Sequence, residues 1–295
     1  MRLLFLLCIA TLAWASPLQA KESNCLLWEM EGEQNRIFLL GSMHMMRADD
    51  YPLDRCVDNA YQQVDKLAVE LNVRAIDPVE MVQKMRQLGL LPDGQTIEQQ
   101  LTPETANLLS QFGSLPGGYQ QMRPWYLALA MTLRKAGELG YRADLGVDFH
   151  LVNKAHGIKP IISLETLDQQ LAVLSGDTAE QQDLLLRLTM QQLPDMADYI
   201  GELAGAWRAG DAKAIYRLME QPKQEYPQLK RQFQRLVIER NQQMTKKIHA
   251  MLDDKENYLV VVGGGHLGGE QGIIKLLEQQ GVTLTQLPQL GKSML

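Results

Sequence analysis

Two stretches of the chain repeat one pattern. Arg36–His44 reads RIFLLGSMH and Tyr258–His266 reads YLVVVGGGH; each is a short apolar run that reaches a glycine, with a histidine three residues later. Four to six residues rich in Ile, Leu and Val make a buried strand. The glycine (Gly41, Gly263) permits a sharp backbone turn where a Cβ would clash, so each histidine is expected on a loop just past the carboxyl end of its strand. In open α/β sheets ligands bind in the crevice outside that end. A lone Gly-x-x-His is weak. Two of them, each ending a strand, predict His44 and His266 on one rim.

The rest of the chain supplies the frame for that rim. Cys25–Met30 reads as a strand, Glu31–Asn35 as a turn and Arg36–Leu40 as its hairpin partner. Leu53–Val64 looks helical, and Lys66–Leu71 is a short strand ending in Glu70. From Val73 to about Leu139 helix signals dominate: a capping box with proline at the first helical position (Asp77–Glu80), a start at Thr102-Pro103-Glu104, a break at Pro116–Gly118 and a third helix opening at Pro124. Leu145–His156 is helical and stops at Gly157, and Lys159–Leu164 is a further strand followed by Glu165. Asp177–Met219 holds two or three helices. Leu229–Leu252 reads as one long helix whose apolar stripe carries an out-of-place charge, Arg240. Strand Tyr258–Val262, helix Gly269–Gln280 and strand Val282–Leu287 close the chain. The expectation is an α/β (α+β) fold: a central mixed sheet with large helical insertions at about 73–140 and 175–250, in a single domain spanning 21–295.

Composition and the first residues bound the compartment. The chain has 295 residues, 45% hydrophobic and 22% charged, as a globular protein with a sizeable core has. Residues 1–20 run from a basic start (Arg2) through an apolar core (Leu3–Trp14) to SPLQA, which reads as a secretory signal peptide cleaved after Ala20, or alternatively after Ala15. Neither Cys8 nor Cys25 sits in a convincing lipidation site, and no later stretch is long and apolar enough to span a bilayer. A periplasmic or secreted location is therefore expected. Losing residues 1–20 removes Arg2 and no acid, taking the formal charge from -6 to -7. An acidic chain without a basic block carries no footprint for nucleic acid. Cys25 and Cys56 remain as an even pair in an oxidising compartment, which predicts a disulfide; two buried thiols are the competing reading.

Four strand ends thus deliver His44, Glu70, Glu165 and His266. Imidazole and carboxylate together suit a divalent metal or an acid–base pair. Two histidines and one carboxylate leave coordination positions open for water and substrate, as metal-assisted hydrolysis requires. His44, Glu70 and His266 are the candidate metal ligands and catalytic residues. Gly41, Gly263 and Glu165 are candidates for supporting those ligands. Arg240 is a candidate for binding a developing oxyanion. Blander readings stand beside each: a capping or surface histidine, a solvated strand-end charge for Glu70, a first-turn acid facing a helix dipole for Glu165, a snorkelling head for Arg240. His156 is explained by a helix C-terminus, and His150 and His249 have no partner at ligand spacing.

Gly263–Gly268 also matches G-x-G-x-x-G between a strand and a helix. A dinucleotide site would need an acid at the end of the next strand, and no Asp or Glu follows Glu278. No further mononucleotide-binding half follows either, so this reading is rejected. A G-x-S-x-G nucleophile elbow is also missing from the sequence.

Taken in order, the segments Cys25–Trp28, Gly41–His44 (GSMH), Ala68–Leu71 (AVEL), Arg123–Trp125 (RPW), Gly146–Asp148 (GVD), Lys159–Thr166 (KPIISLET), Glu239–Asn241 (ERN) and Val262–Leu267 (VGGGHL) resemble the TraB/GumN-like family, which includes the Tiki metalloproteases. The resemblance covers almost the whole mature chain. It implies a fold related to erythromycin esterase and the haem-binding ChaN proteins. It also implies peptidase activity dependent on a divalent metal, manganese or cobalt, with Gly41/His44, Gly263/His266 and Glu70 on the matching positions. Ser42 stands where the family more often has Thr and keeps the hydroxyl. The expected function is an exported metal-dependent hydrolase of peptide bonds, acting on a peptide or small-molecule substrate. Two rivals are a non-catalytic periplasmic protein that binds haem or another ligand, and a metal-free esterase-like hydrolase with His44 as general base. A third is an interaction domain whose site is vestigial.

Overall fold

The computed structural model describes residues 24–113, 115–175 and 178–292. The expected signal peptide lies outside the described residues. Six strands, β1 (Asn24–Glu31), β2 (Arg36–Ser42), β3 (Lys66–Val69), β4 (Ile161–Ser163), β5 (Tyr258–Gly263) and β6 (Thr285–Pro288), form one sheet in the order β4-β3-β5-β2-β1-β6. The four from β4 to β2 run parallel, while β1 and β6 add an antiparallel edge. The expected mixed α/β sheet is borne out.

Both faces of this sheet are covered, which is why its inner strands read as continuous apolar runs instead of alternating ones. Phe38, Leu40, Leu67, Val69, Leu259 and Val261 point to one side, against helices Arg55–Gln62 and Val147–Ala155. Ile37, Leu39, Ala68, Val260 and Val262 point to the other, against helices Arg240–Met251 and Ile273–Gln279. A separate apolar core lies among the helices, where Leu127 and Met131 of Pro124–Glu138 meet Leu186 and Met190 of Ala179–Gln192. Among the described residues no helix is long and apolar enough to cross a membrane.

Three expectations need correction. The Gly-x-x-His glycines do not turn the chain at positive φ. Gly41 lies inside β2, where a Cβ would meet Leu26 Cδ2 at 2.3 Å and Leu267 Cδ1 at 2.8 Å, so close packing is what demands glycine there. The path expected as one α-helix from Leu229 is wound in sections: Lys230–Phe233 is α-helical, Gln234–Glu239 is π-helical, and α-winding resumes at Arg240. Asp77 does cap its helix, accepting from the Val79 N–H, but Glu80 turns to Lys84 (3.2 Å) instead of closing a capping box.

Cys25 and Cys56 are disulfide-bonded, tying β1 to the first turn of helix Arg55–Gln62 across 31 residues of sequence. Chain-entropy loss for a loop of that size is worth about 3–4 kcal/mol. A Cys25→Ser/Cys56→Ser variant should lose that much stability in urea denaturation, with a lower midpoint and little change of near-native circular dichroism.

Candidate functional site

The sheet register assembles the site. β2 and β5 pair in parallel with Gly41 opposite Val262 and Ser42 opposite Gly263, so the two Gly-x-x-His loops leave the sheet side by side. β3 pairs with β5 on its other flank and with β4 beyond, Val69 lying opposite both Val261 and Ser163. The ladder continues past the strand ends, where Glu165 N donates to Glu70 O (2.8 Å) and holds those two residues abreast. His44, His266, Glu70 and Glu165 therefore share one rim.

Glu70 is the meeting point. Its Oε1 accepts from the Gly263 N–H at 2.6 Å and faces His266 Nε2 at 3.7 Å. Its Oε2 accepts from Arg240 Nη2 at 2.5 Å. A Cβ built on Gly263 would lie 3.2 Å from both Glu70 Oε1 and His44 Nε2, and 3.5 Å from His266 Cδ2. The bare Cα of Gly263 is thus the floor on which all three candidate ligands converge.

Each histidine is held by a residue to which the sequence assigned no role. Val147 N donates to Met43 O, bringing helix Val147–Ala155 against the first loop and Asp148 Oδ1 to 3.0 Å from His44 Nδ1. Asn241 Nδ2 donates to Gln271 O, which leaves Asn241 Oδ1 to accept from His266 Nδ1 at 2.6 Å. Both rings therefore carry a proton on Nδ1 and turn Nε2 towards Glu70, the arrangement by which outer carboxylates and carbonyls orient metal-binding imidazoles. Asp148 and Asn241 sit on helices, outside the strand-end pattern. The signals available were their places in the resembling segments Gly146–Asp148 and Glu239–Asn241 and Asn241's adjacency to Arg240. Gln170 Nε2 also donates to Glu165 Oε2 (3.2 Å).

Arg240 is more committed than expected. Its Nε and Nη2 bind Glu165 Oε1 and Oε2 at 2.8 and 2.6 Å in a bidentate fork, Nη2 also binds Glu70, and Nη1 reaches Leu236 O. Glu165 is accordingly a buried partner of Arg240, 4% exposed, rather than a solvated first-turn acid. The π-helical stretch ends just before Arg240 and Asn241, and such irregular turns recur at functional sites.

Charges in the site push its titrations apart. Burial raises the Glu70 carboxyl, but the charges of His266, His44 and Arg240 and the Gly263 N–H outweigh it and bring it down to about 2. Burial lowers His266 to about 4 despite Glu70, so its ring is neutral at pH 7. His44 is the outlying member, its side chain 62% exposed: desolvation by the surrounding protein pulls it down, but the hydrogen bond and charge of Asp148, with Glu70's charge, carry it up to about 9. A neutral Nε2 lone pair and a carboxylate oxygen then face each other across 3.7 Å with no donor shown between them. That gap suits a cation. Two imidazole nitrogens and one carboxylate are donor types that a divalent ion takes, though the ligand atoms of His44, His266 and Glu70 do not all lie within 4.8 Å of one another. Among the described residues, the three donor groups that close to within 4.8 Å of one another are Cys25, Asp54 and Cys56, whose sulfurs are spent in the disulfide.

A family model for TraB/PrgY/gumN matches residues 26–286, which takes in every element of this rim. The chain belongs to that family. It is 26% identical over 260 residues to the uncharacterized protein YbaP of Escherichia coli (strain K12), covering 82% of this chain and 88% of YbaP. Its likeness to YbaP of Shigella flexneri is the same, 26% over 255 residues, covering 81% and 86%. An uncharacterized protein of Treponema pallidum (strain Nichols) is 22% identical over 222 residues, covering 72% of this chain and 67% of its own. No solved structure matches the chain.

Removing the Arg240 guanidinium would strand two buried carboxylates, so Arg240→Ala should cost about 3–5 kcal/mol in urea denaturation. In metal-free protein, NMR titration should place His44 near pH 9 and His266 near pH 4. The signs follow from linkage. His44, raised, adds stability that is full below its unfolded value of 6.5 and lost as pH rises through 9. His266, lowered, makes the fold less stable as pH falls from 6.5 to 4, because the unfolded chain takes up a proton that the folded one refuses. Glu70 adds stability present above 4.5 that is lost as pH falls towards 2.

Proposed function

We propose that this protein is an exported, divalent-metal-dependent hydrolase whose substrate is a peptide. The observation that carries the reading is the convergence of His44 Nε2, His266 and Glu70 Oε1 over Gly263, with both rings locked through Nδ1 by Asp148 and Asn241. A bound divalent ion supplies Lewis-acid polarisation and lowers the pKa of a coordinated water. Manganese and cobalt are the first ions to test.

The chain's own residues prepare the rest. Asp148 and Asn241 prevent the imidazoles from rotating, and the Gly263 N–H and Arg240 fix the Glu70 carboxylate between them. Arg240 acts mainly as a positioning residue. Only Nη1 retains a donor for negative charge developing on substrate, since Nε and Nη2 are held by Glu165 and Glu70. Gln170 steadies Glu165 from the other side. The Cys25–Cys56 bond supports an oxidising compartment outside the cytoplasm. His44, raised to about 9 by Asp148 in the metal-free site, must give up its Nε2 proton both to bind a metal and to act as a general base, so its protonation does not separate the two readings and the chelator test does.

Protein purified without chelators should carry close to one equivalent of a divalent transition metal by elemental analysis, and His266→Ala should carry little. Peptide hydrolysis should vanish with chelator and return with added Mn²⁺ or Co²⁺. Hydrolysis indifferent to chelator would refute the metal-dependent reading.

A further inference from the structure

The rim opens onto a cavity of about 380 Å³. His44, Glu70, Asp148, Gln170 and Arg240 line it together with the apolar Leu71, Val73, Val173, Leu174 and Leu236. Arg240 is already paired with Glu70 and Glu165, and Asp148 is hydrogen-bonded to His44 Nδ1. A charged substrate side chain seated among the apolar residues would lose water without gaining a counter-charge of its own there.

The apolar lining reaches the surface. Val73 and Leu174, which line this cavity, are 40% and 37% exposed. Behind Val173, Leu174 and Leu236 lies a second space of about 200 Å³, walled further by Trp125, Leu129 and Leu185. Its threonine hydroxyls, on Thr132 and Thr189, are spent on Ala128 O and Leu185 O of their own helices, so they present nothing polar that needs a ligand. Ser42 also lines the first cavity, but its Oγ is itself buried and presents no surface to a ligand. An apolar lining beside the candidate ligands matches a peptide with an apolar side chain next to the reacting bond.

We propose that this cavity is a specificity subsite that seats an aliphatic or aromatic side chain of a peptide next to the bond that is cut. The inference rests on the hydrolase reading above and narrows its substrate class. Side-chain selection comes from Val73, Leu174 and Leu236. Seating a Leu- or Phe-sized side chain there is worth on the order of 10- to 100-fold in kcat/KM over Gly.

The test uses the full mature chain loaded with Mn²⁺ and a library of blocked peptides degenerate at every position, with cut sites read by mass spectrometry. Leu, Ile, Met and Phe should be enriched at least 10-fold over Gly, Asp and Lys at one position flanking the cut. Leu174→Asp and Val73→Asp, both at partly exposed sites and checked for folding by circular dichroism, should collapse the Leu-to-Gly ratio towards one. Hydrolysis without side-chain preference overturns the subsite and leaves the hydrolase reading standing. If no peptide is cut, fluorescence anisotropy with dye-labelled Leu and Gly versions of one blocked peptide decides. Binding of the Leu peptide at least 10-fold tighter, lost in Leu174→Asp, supports the subsite while overturning hydrolysis. Equal or undetectable binding overturns both.

Discussion

The parallel pairing of β2 with β5 is the constraint on which the rest depends. Ser42 lies opposite Gly263, and neither strand can slip by one residue without turning its core side chains to the wrong face. Both faces are filled, so the register is specified twice over. Once it is set, the two histidine loops have nowhere to go but the same rim. Trp207 adds a clamp from outside the sheet, its indole N–H donating to Gly41 O at 2.9 Å. Neighbouring β3 and β4 follow the same direction, which lines four chemistry-bearing residues along consecutive strand ends.

On that rim the charges form a closed set. Arg240 lies between Glu70 and Glu165, and His44 lies against Asp148. Burying such a set gains little stability over an apolar equivalent, because desolvation consumes most of the Coulombic gain. What it does fix is position: with the arginine fork on Glu165 and a backbone N–H on Oε1, the Glu70 carboxylate has one orientation. The neutral His266 lone pair aimed at it is the unbalanced element, and the candidate chemistry resides in that imbalance.

Much of this was legible in the chain. Strand–Gly-x-x-His is a local pattern, and its duplication carried the prediction of a shared rim because parallel strands put like ends together. Glu70 and Glu165 were visible for the same reason, as acids closing apolar runs. Arg240 stood out as a charge on an apolar stripe. Asp148 and Asn241 entered only as letters of the resembling segments GVD and ERN; their pairing with the histidines was hidden, since each lies on a helix and reaches its histidine only through tertiary packing. The reason for Gly41 was also hidden. A glycine after a strand suggests a turn, whereas the close approach of Leu26 and Leu267 is a fact about neighbours distant in sequence. Helical periodicity, finally, cannot register a short stretch of wider winding such as Gln234–Glu239.

That wider winding bears on how the protein can vary. Side chains on a regular helix advance by about 100° per residue. Six residues of the wider winding turn through about 490°, close to the roughly 500° that five residues of α-helix cover, so this stretch holds one residue more than a regular helix would need between the same end points. Deleting one residue between Gln234 and Glu239 would let α-winding run straight through and leave the guanidinium facing the two glutamates and the amide facing His266. The extra residue is thus one the site can lose without losing its geometry.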